Sequence, residues 1–315
     1  MSLGQFIPSF AARKPAAPCW LGVSTDPLGM AAAVVQRSPG ERARVTDCQT
    51  FEGGEALAQL SGWSRRQRAA RTNLLLGADE YQILPIEANE LSPAERVAAA
   101  RWQVKDMIEF APEEASVACV RVPGGSAGAR TSQALAVVAR RSTVAAWMQR
   151  SQGAKLKLDA IDIPELALRN VAALAPGSAA GALLHIGLAR TTLVMVWQGE
   201  LCNYRRFDLK ASQLHGAGTD ERETLIERLG LEVQRTADAF ERQFHAAALA
   251  RLWVTQEHAS LAVADDLTRH VALPVQALHL KEWLDIAPEG PLVDPDRGID
   301  YVLAIGAALR EEAPA

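Results

Sequence analysis

The chain has 315 residues, enough to bury roughly three quarters of its unfolded surface in one large domain or two lobes. Hydrophobic residues make up 49%, charged residues 22% and aromatics 5%, and the formal net charge of −4 supplies no broad basic field for nucleic acid. The scattered cysteines, Cys19, Cys48, Cys119 and Cys202, form no CxxC pair and no metal-ligand spacing, which fits unpaired thiols in a reducing compartment.

Residues 1–17 read as a loose tail broken by Pro8 and Pro15. That stretch is too polar for a signal peptide, and no window approaches the ~20 apolar residues that span a bilayer. The expected location is cytoplasmic, with any membrane association made through a partner. Residues 20–24, 30–36 and 44–49 read as a three-stranded meander with turns at Asp26-Pro27-Leu28-Gly29 and Ser38-Pro39-Gly40-Glu41. Residues 55–71 read as a helix weakened by Gly62, and 73–76 and 81–85 as short strands flanking Gly77-Ala78-Asp79.

Ser92-Pro93-Ala94-Glu95 combines an N-cap serine, a first-turn proline and a capping-box glutamate, so a helix is expected to run from there to about Phe110-Ala111-Pro112. Strands are expected at 116–122 and 134–139, a helix at 141–153, a strand at 156–162 and a helix at 164–174. Hairpin strands follow around Gly187 and Gly199. The clearest helix is 221–244, where Leu225, Leu229, Val233, Ala237, Phe240 and Phe244 recur at spacings of three and four. A strand at 251–255, a helix at 261–270, a strand at 275–277 and a terminal helix at 301–311 complete an alternating α/β chain. Each half opens with a meander and continues with helices, which suggests a duplicated lobe.

Several motifs have a plain structural reading. Gly124-Gly125-Ser126-Ala127-Gly128 matches a G-x-S-x-G nucleophile elbow, but strand-like residues on both sides favour a hairpin loop. The six histidines show no H-E-x-x-H pair, and no G-x-x-x-x-G-K-[ST] or G-x-G-x-x-G phosphate loop occurs. Arg65, Arg66, Arg68 and Arg71 read as a solvated helix face, with an acidic partner or lipid headgroups as the functional alternative. Trp102 and Phe110 beside Lys105 read first as core packing and second as a partner groove. In the hairpin at 181–201, a magnesium-phosphate site would want a carboxylate at the strand end, and His185 stands there.

Taken together, the chain resembles the actin-like proteins of type IV pilus assembly, nearest the MshI family of MSHA pilus biogenesis, relatives of PilM and FtsA. The resemblance is carried by Asp79-Glu80-Tyr81-Gln82-Ile83-Leu84, RWQVKDMIEFAPEEA at 101–115 and Ala160-Ile161-Asp162-Ile163-Pro164-Glu165 with the residues that follow. The hairpin at 185–199, LEVQRTADAFERQF at 231–244 and the terminal Ala304-Ile305-Gly306-Ala307-Ala308 complete it. It implies an α/β, ribonuclease H-like fold of two actin-like lobes, the first at 18–178 with a small α+β subdomain inserted at about 78–155, the second at 179–315.

In nucleotide-binding relatives both lobes carry an Asp-x-Gly phosphate loop, and a Gly-Gly pair contacts the adenosine. Here Ser24 stands where the first aspartate would be, His185 replaces the second, and Gln256-Glu257 supplies no glycine pair. Neither Ser24 nor His185 suits magnesium, although Asp26 lies two residues along. The resemblance thus implies an eroded nucleotide site at Ser24, Asp26, Gly187 and Thr191 and a non-catalytic adaptor without a cofactor. An ATP- and magnesium-binding switch stays open as the alternative. The implied partner is the cytoplasmic tail of an inner-membrane PilN-like assembly protein, with the assembly ATPase as a further candidate. The expected groove lies near Trp102, Lys105, Ile108 and Phe110.

Overall fold

The structure, a computed structural model, describes residues 18–26, 29–38, 40–88, 93–123, 132–175, 177, 180–245, 247–256, 262–288 and 301–311. The nucleophile-elbow match at 124–128, the N-terminal tail and Ser92 lie outside the described residues.

Three sheets organise the chain. In the first, β1 (Cys19–Thr25), β2 (Gly29–Gln36) and β3 (Arg44–Glu52) form the expected antiparallel meander. β4 (Arg71–Leu75) joins β1 in parallel, and β8 (Leu158–Asp162) joins β4 in parallel. A small sheet of order β5-β7-β6 is built from Tyr81–Ala88, Ser132–Arg140 and Ala115–Arg121. The two strands flanking Gly77 therefore belong to different sheets, and the chain leaves the first sheet there to build the subdomain. The second large sheet has the order β11-β10-β9-β12-β13, from Glu200–Phe207, Thr191–Trp197, Ala180–Ile186, Leu249–Gln256 and Val275–Ala277.

Helices fill the spaces between the sheets. One face of the first sheet packs on α1 (Ala56–Gln67) and α3 (Arg141–Gly153) through Leu21, Val23, Leu60, Trp63 and Trp147. Its other face meets α4 (Pro164–Ala172) and the C-terminal helix Val302–Ala308, and the second sheet closes that layer with Leu183, Val194 and Leu201. Beyond the second sheet lie α5 (Ala211–Gly216), with Ala211 and Leu214 buried, α6 (Thr219–Gln243), with Ile226, Leu229, Val233, Ala237 and Phe240 inward, and α7 (Val263–Leu267). The result is five layers, helices alternating with sheets.

Two elements depart from chain order. Asp285–Ile286 pairs in parallel with Arg44–Val45 at the edge of the first sheet, and Val302–Ala308 packs on β1 and α4. Both fall in the stretch assigned by sequence to the second lobe. The approach is close: a Cβ on Gly22 would lie 1.9 Å from the Ala304 carbonyl oxygen, and one on Gly306 would lie 2.2 Å from the Ala167 oxygen. Glycine at both positions lets backbones touch. The Asn73 and Asn170 side-chain amides then donate to the Ala307 and Gly306 carbonyls at 2.9 and 2.8 Å, satisfying the last turn of the helix.

The helix opening at Pro93 stops at Gln103 instead of continuing to about residue 110. Gln103 spends both ends of its side-chain amide on the Glu87 backbone, accepting at 2.9 Å and donating at 3.0 Å. The chain then tightens into turns, with Lys105 N–H on the Trp102 carbonyl and Met107 N–H on that of Val104.

Candidate functional site

The two large sheets meet across a cleft walled by the ends of β1 and β9 and by the start of α4. Pro164 opens that helix and Glu165 follows in its first turn, where a carboxylate complements the helix dipole. Glu165 is 1% exposed. Its Oε2 accepts the Tyr81 hydroxyl at 2.5 Å and its Oε1 accepts Arg206 Nε at 2.5 Å. Tyr81 comes from the start of β5 and Arg206 from near the end of β11, so one carboxylate ties first lobe, subdomain and second sheet together.

The electrostatics are those of a closed ion pair. Burial and then the Glu165 charge push the Tyr81 phenol well above its usual range. Burial pulls the Arg206 guanidinium down, but its bond to Glu165 and that charge outweigh burial and hold it raised. The same guanidinium lies 4.6 Å from the Tyr81 ring centre, a cation–π contact. Around this hub, Tyr204 Oη donates to the Ile83 carbonyl at 3.0 Å, Arg190 pairs with Asp79 at 2.9 Å, and Gln243 bonds Gln133 at 2.7 Å. Each of these also joins the two sides.

The space that remains is small. Thr25, Asp26, His185, Gly187, Arg190 and Thr192 line a cavity of about 50 Å³. A water's share of liquid is about 30 Å³ and ligand sites begin near 300 Å³, so this volume suits one or two waters. Of the four expected phosphate-facing residues, Asp26 and Gly187 meet on this cavity. Asp26 Oδ1 accepts the Gly29 N–H at 2.9 Å, tying it to the β1–β2 turn. Gly187 donates to the Arg190 carbonyl at 3.1 Å and accepts from Ala211 N–H at 3.0 Å.

The other two sit beneath it. The Ser24 hydroxyl donates to the Ala31 carbonyl at 3.5 Å and that of Thr191 to the Leu209 carbonyl at 2.8 Å. Their neighbours Thr25 and Thr192 line the cavity instead. His185 is 3% exposed, and burial pushes its imidazole down to about 4, so it is neutral at physiological pH. Gln256 accepts the Val263 N–H at 3.1 Å, and Glu257 lies outside the described residues. A triphosphate with magnesium needs fixed donors and carboxylate oxygens aimed inward. The Ser24, Thr25 and Thr191 hydroxyls and the Gly187 N–H already serve backbone carbonyls, Arg190 pairs with Asp79, and His185 is neutral, so these residues fit such a group poorly.

The expected partner residues divide in two. Trp102 is 69% exposed at the end of α2 (Pro93–Gln103), and the Lys105 ammonium lies 4.6 Å from its ring centre. Ile108 and Phe110 are half-buried against the subdomain core with Val104 and Ala115, and the Arg140 guanidinium covers Phe110 at 4.3 Å. An open hollow of about 800 Å³ beside Trp102 is lined by Pro85, Ile86, Glu87, Ala99, Gln103 and Gln133. Sequence reasoning missed the Tyr81–Glu165–Arg206 hub. A glutamate after a proline at a helix start is ordinary capping chemistry, and nothing in the chain pairs it with residues 84 positions before and 41 after.

Comparison with solved structures decides the fold. A chain of a PilM–PilN type IV pilus biogenesis complex superposes with a TM-score of 0.74 at 18% identity, covering 92% of this chain and 97% of that one. The fold is the two-lobed actin-like fold. The cytoplasmic domain of EpsL, an inner-membrane component of the Vibrio cholerae type II secretion system, aligns over 93% of this chain and 96% of its own, at 14% identity and a TM-score of 0.49. A Bacteroides thetaiotaomicron protein with an actin-like ATPase fold aligns over 86% and 93%, at 10% identity and a TM-score of 0.47. No protein-family profile and no curated protein sequence matches the chain. Within the actin-like fold, the Glu165 hub and the 50 Å³ cavity occupy the interlobe cleft.

Proposed function

We propose that the chain is a nucleotide-independent adaptor of a type IV pilus inner-membrane complex, of the MshI kind, which docks the cytoplasmic tail of a PilN-like membrane protein. The observation that carries this reading is the near full-length likeness to a chain of the PilM–PilN complex. The cleft supports the nucleotide-independent half, since side chains of both lobes fill it and bind each other. Tail capture would use the exposed Trp102 with Lys105, and the flanking Ile108 and Phe110, on the subdomain. No helix among the described residues is long and apolar enough to cross a membrane, so the reading places the chain at the inner membrane through its partner.

The test is a binding titration of the full chain with a synthetic PilN-like tail. Submicromolar binding that Trp102→Ala weakens supports the reading, and binding indifferent to Trp102 removes that docking surface. A second reading, an ATP switch, draws on the meeting of Asp26 and Gly187 at the cavity. Nucleotide titration separates the two.

A further inference from the structure

One end of the first sheet gathers cations from four elements. β1, β4 and β8 run parallel, so Trp20, Arg71 and the residue preceding Leu158 start at the same edge. Lys157 is that residue, and its carbonyl accepts the Thr72 N–H at 2.9 Å. α1 ends at this edge with Arg65, Arg66 and Arg68, and the turn after α3 delivers Lys155. The Ser61 hydroxyl bonds the Ala154 carbonyl, which locks those two helix ends side by side. Arg65, Arg66, Arg68, Arg71, Lys155 and Lys157 are all exposed. The carboxylates beside them are engaged: Asp159 pairs with Arg71 at 3.3 Å, and Asp47 takes the Trp63 and Gln67 side chains.

Backbone geometry adds an independent signal. Arg68 has φ 54° and Lys155 has φ 60°, both left-handed, at helix ends where glycine or asparagine is the favoured residue. A non-glycine residue there carries backbone strain. Complementing the helix dipole accounts for a cation at each helix end. It does not account for Arg71 on β4 or Lys157 just before β8, nor for arginine and lysine standing where glycine is the favoured residue. Arg37 and Arg42, at the same end, already serve the fold, bonding the Leu309 and Arg310 carbonyls and the Trp283 carbonyl.

We propose that this basic end is a contact surface for an anionic lipid bilayer. Charge complementarity selects the occupant: Arg65, Arg66, Arg68, Lys155 and Lys157, beside an Arg71 already paired with Asp159, gather at one end of the first sheet and match a planar sheet of headgroups, on a chain whose formal net charge is −4. The surface holds the molecule in one orientation, with the strand starts of the first lobe toward the membrane. It stands apart from tail docking, which lies on the subdomain at the other end of β4.

The test is co-sedimentation of the full chain with vesicles of phosphatidylglycerol mixed with phosphatidylcholine, and with phosphatidylcholine alone. Partition into the anionic vesicles at low salt, lost at high salt, is expected. Arg68→Gly with Lys155→Gly relieves the strained backbone, so its melting midpoint should not fall, while partition falls about thirtyfold at ~1 kcal/mol per cation. Arg228→Ala with Lys281→Ala, exposed cations elsewhere, should leave partition unchanged. Absence of partition into anionic vesicles, equal partition into neutral ones, or an equal loss in the control variant would overturn the proposal.

Discussion

The Tyr81 hydroxyl sits 2.5 Å from the Glu165 carboxylate, which is 1% exposed and simultaneously holds Arg206 from the opposite lobe. Breaking one partner of a buried pair leaves the other charged and unpaired. Glu165→Gln should therefore cost about 3 kcal/mol in urea unfolding, and Tyr81→Phe about 1 kcal/mol. Glu165→Leu combined with Arg206→Met should recover most of the loss. Additive losses in the double variant would show that the pair does not act as a unit.

His185 supplies a pH dependence whose sign follows from its burial. Its imidazole titrates near 6.5 when unfolded and at about 4 in the fold, where burial disfavours the cation. Above pH 6.5 the residue is neutral in both states and contributes no slope. As pH falls from 6.5 toward 4 the unfolded chain takes up the proton first, and stability drops by up to about 3 kcal/mol. His185→Gln should remove that share of the acid loss, read as the difference between the two proteins' urea midpoints across the interval. Parallel curves would contradict the assignment.

Gly22 faces the Ala304 carbonyl with no room for a methyl group. Gly22→Ala must push the C-terminal helix off β1, and about 3 kcal/mol of destabilisation is expected from overpacking against backbone. Gly62→Ala, where the nearest atom is 3.8 Å away on a flexible arginine, should be neutral or stabilising in the same thermal melts.

Trp102 and Ile108 should differ in what they cost the fold. Trp102→Ala removes an exposed ring and should leave stability within about 0.5 kcal/mol while weakening tail binding at least tenfold. Ile108→Ala removes a half-buried side chain of the subdomain core and should lower the melting midpoint. A Trp102→Ala protein that binds the tail normally would move the docking surface elsewhere.

Much of the architecture was legible because its signals are local. The meander of β1–β3 has turn residues at Asp26 and Gly40, and α6 repeats its apolar residues at helical spacing, so both were readable from the chain. The pairing of Asp285–Ile286 with β3 and the landing of Val302–Ala308 on β1 were not. Two-residue strands carry no periodicity, and an Ala-Gly-rich helix shows its packing only once Gly22 and Ala304 are in contact. At the cleft, the chain shows Ser24 and His185 standing where the resemblance implies aspartates, but it does not show the side chains that close the space. The hub joins residues 81, 165 and 206, and a contact of that sequence separation leaves no pattern in composition or spacing.

Whether side chains have taken the place of nucleotide in the cleft is tested most directly by calorimetric titration of the full chain with ATP and magnesium, paired with thermal melts. With the cavity at about 50 Å³, the Ser24, Thr25 and Thr191 hydroxyls on backbone carbonyls and Arg190 paired with Asp79, no saturable heat and no change in melting midpoint are expected. A ligand at a hundred times its Kd would stabilise the fold by about 2.7 kcal/mol, well within reach of the melt. Saturable heat accompanied by such a rise would contradict the closed, nucleotide-free cleft.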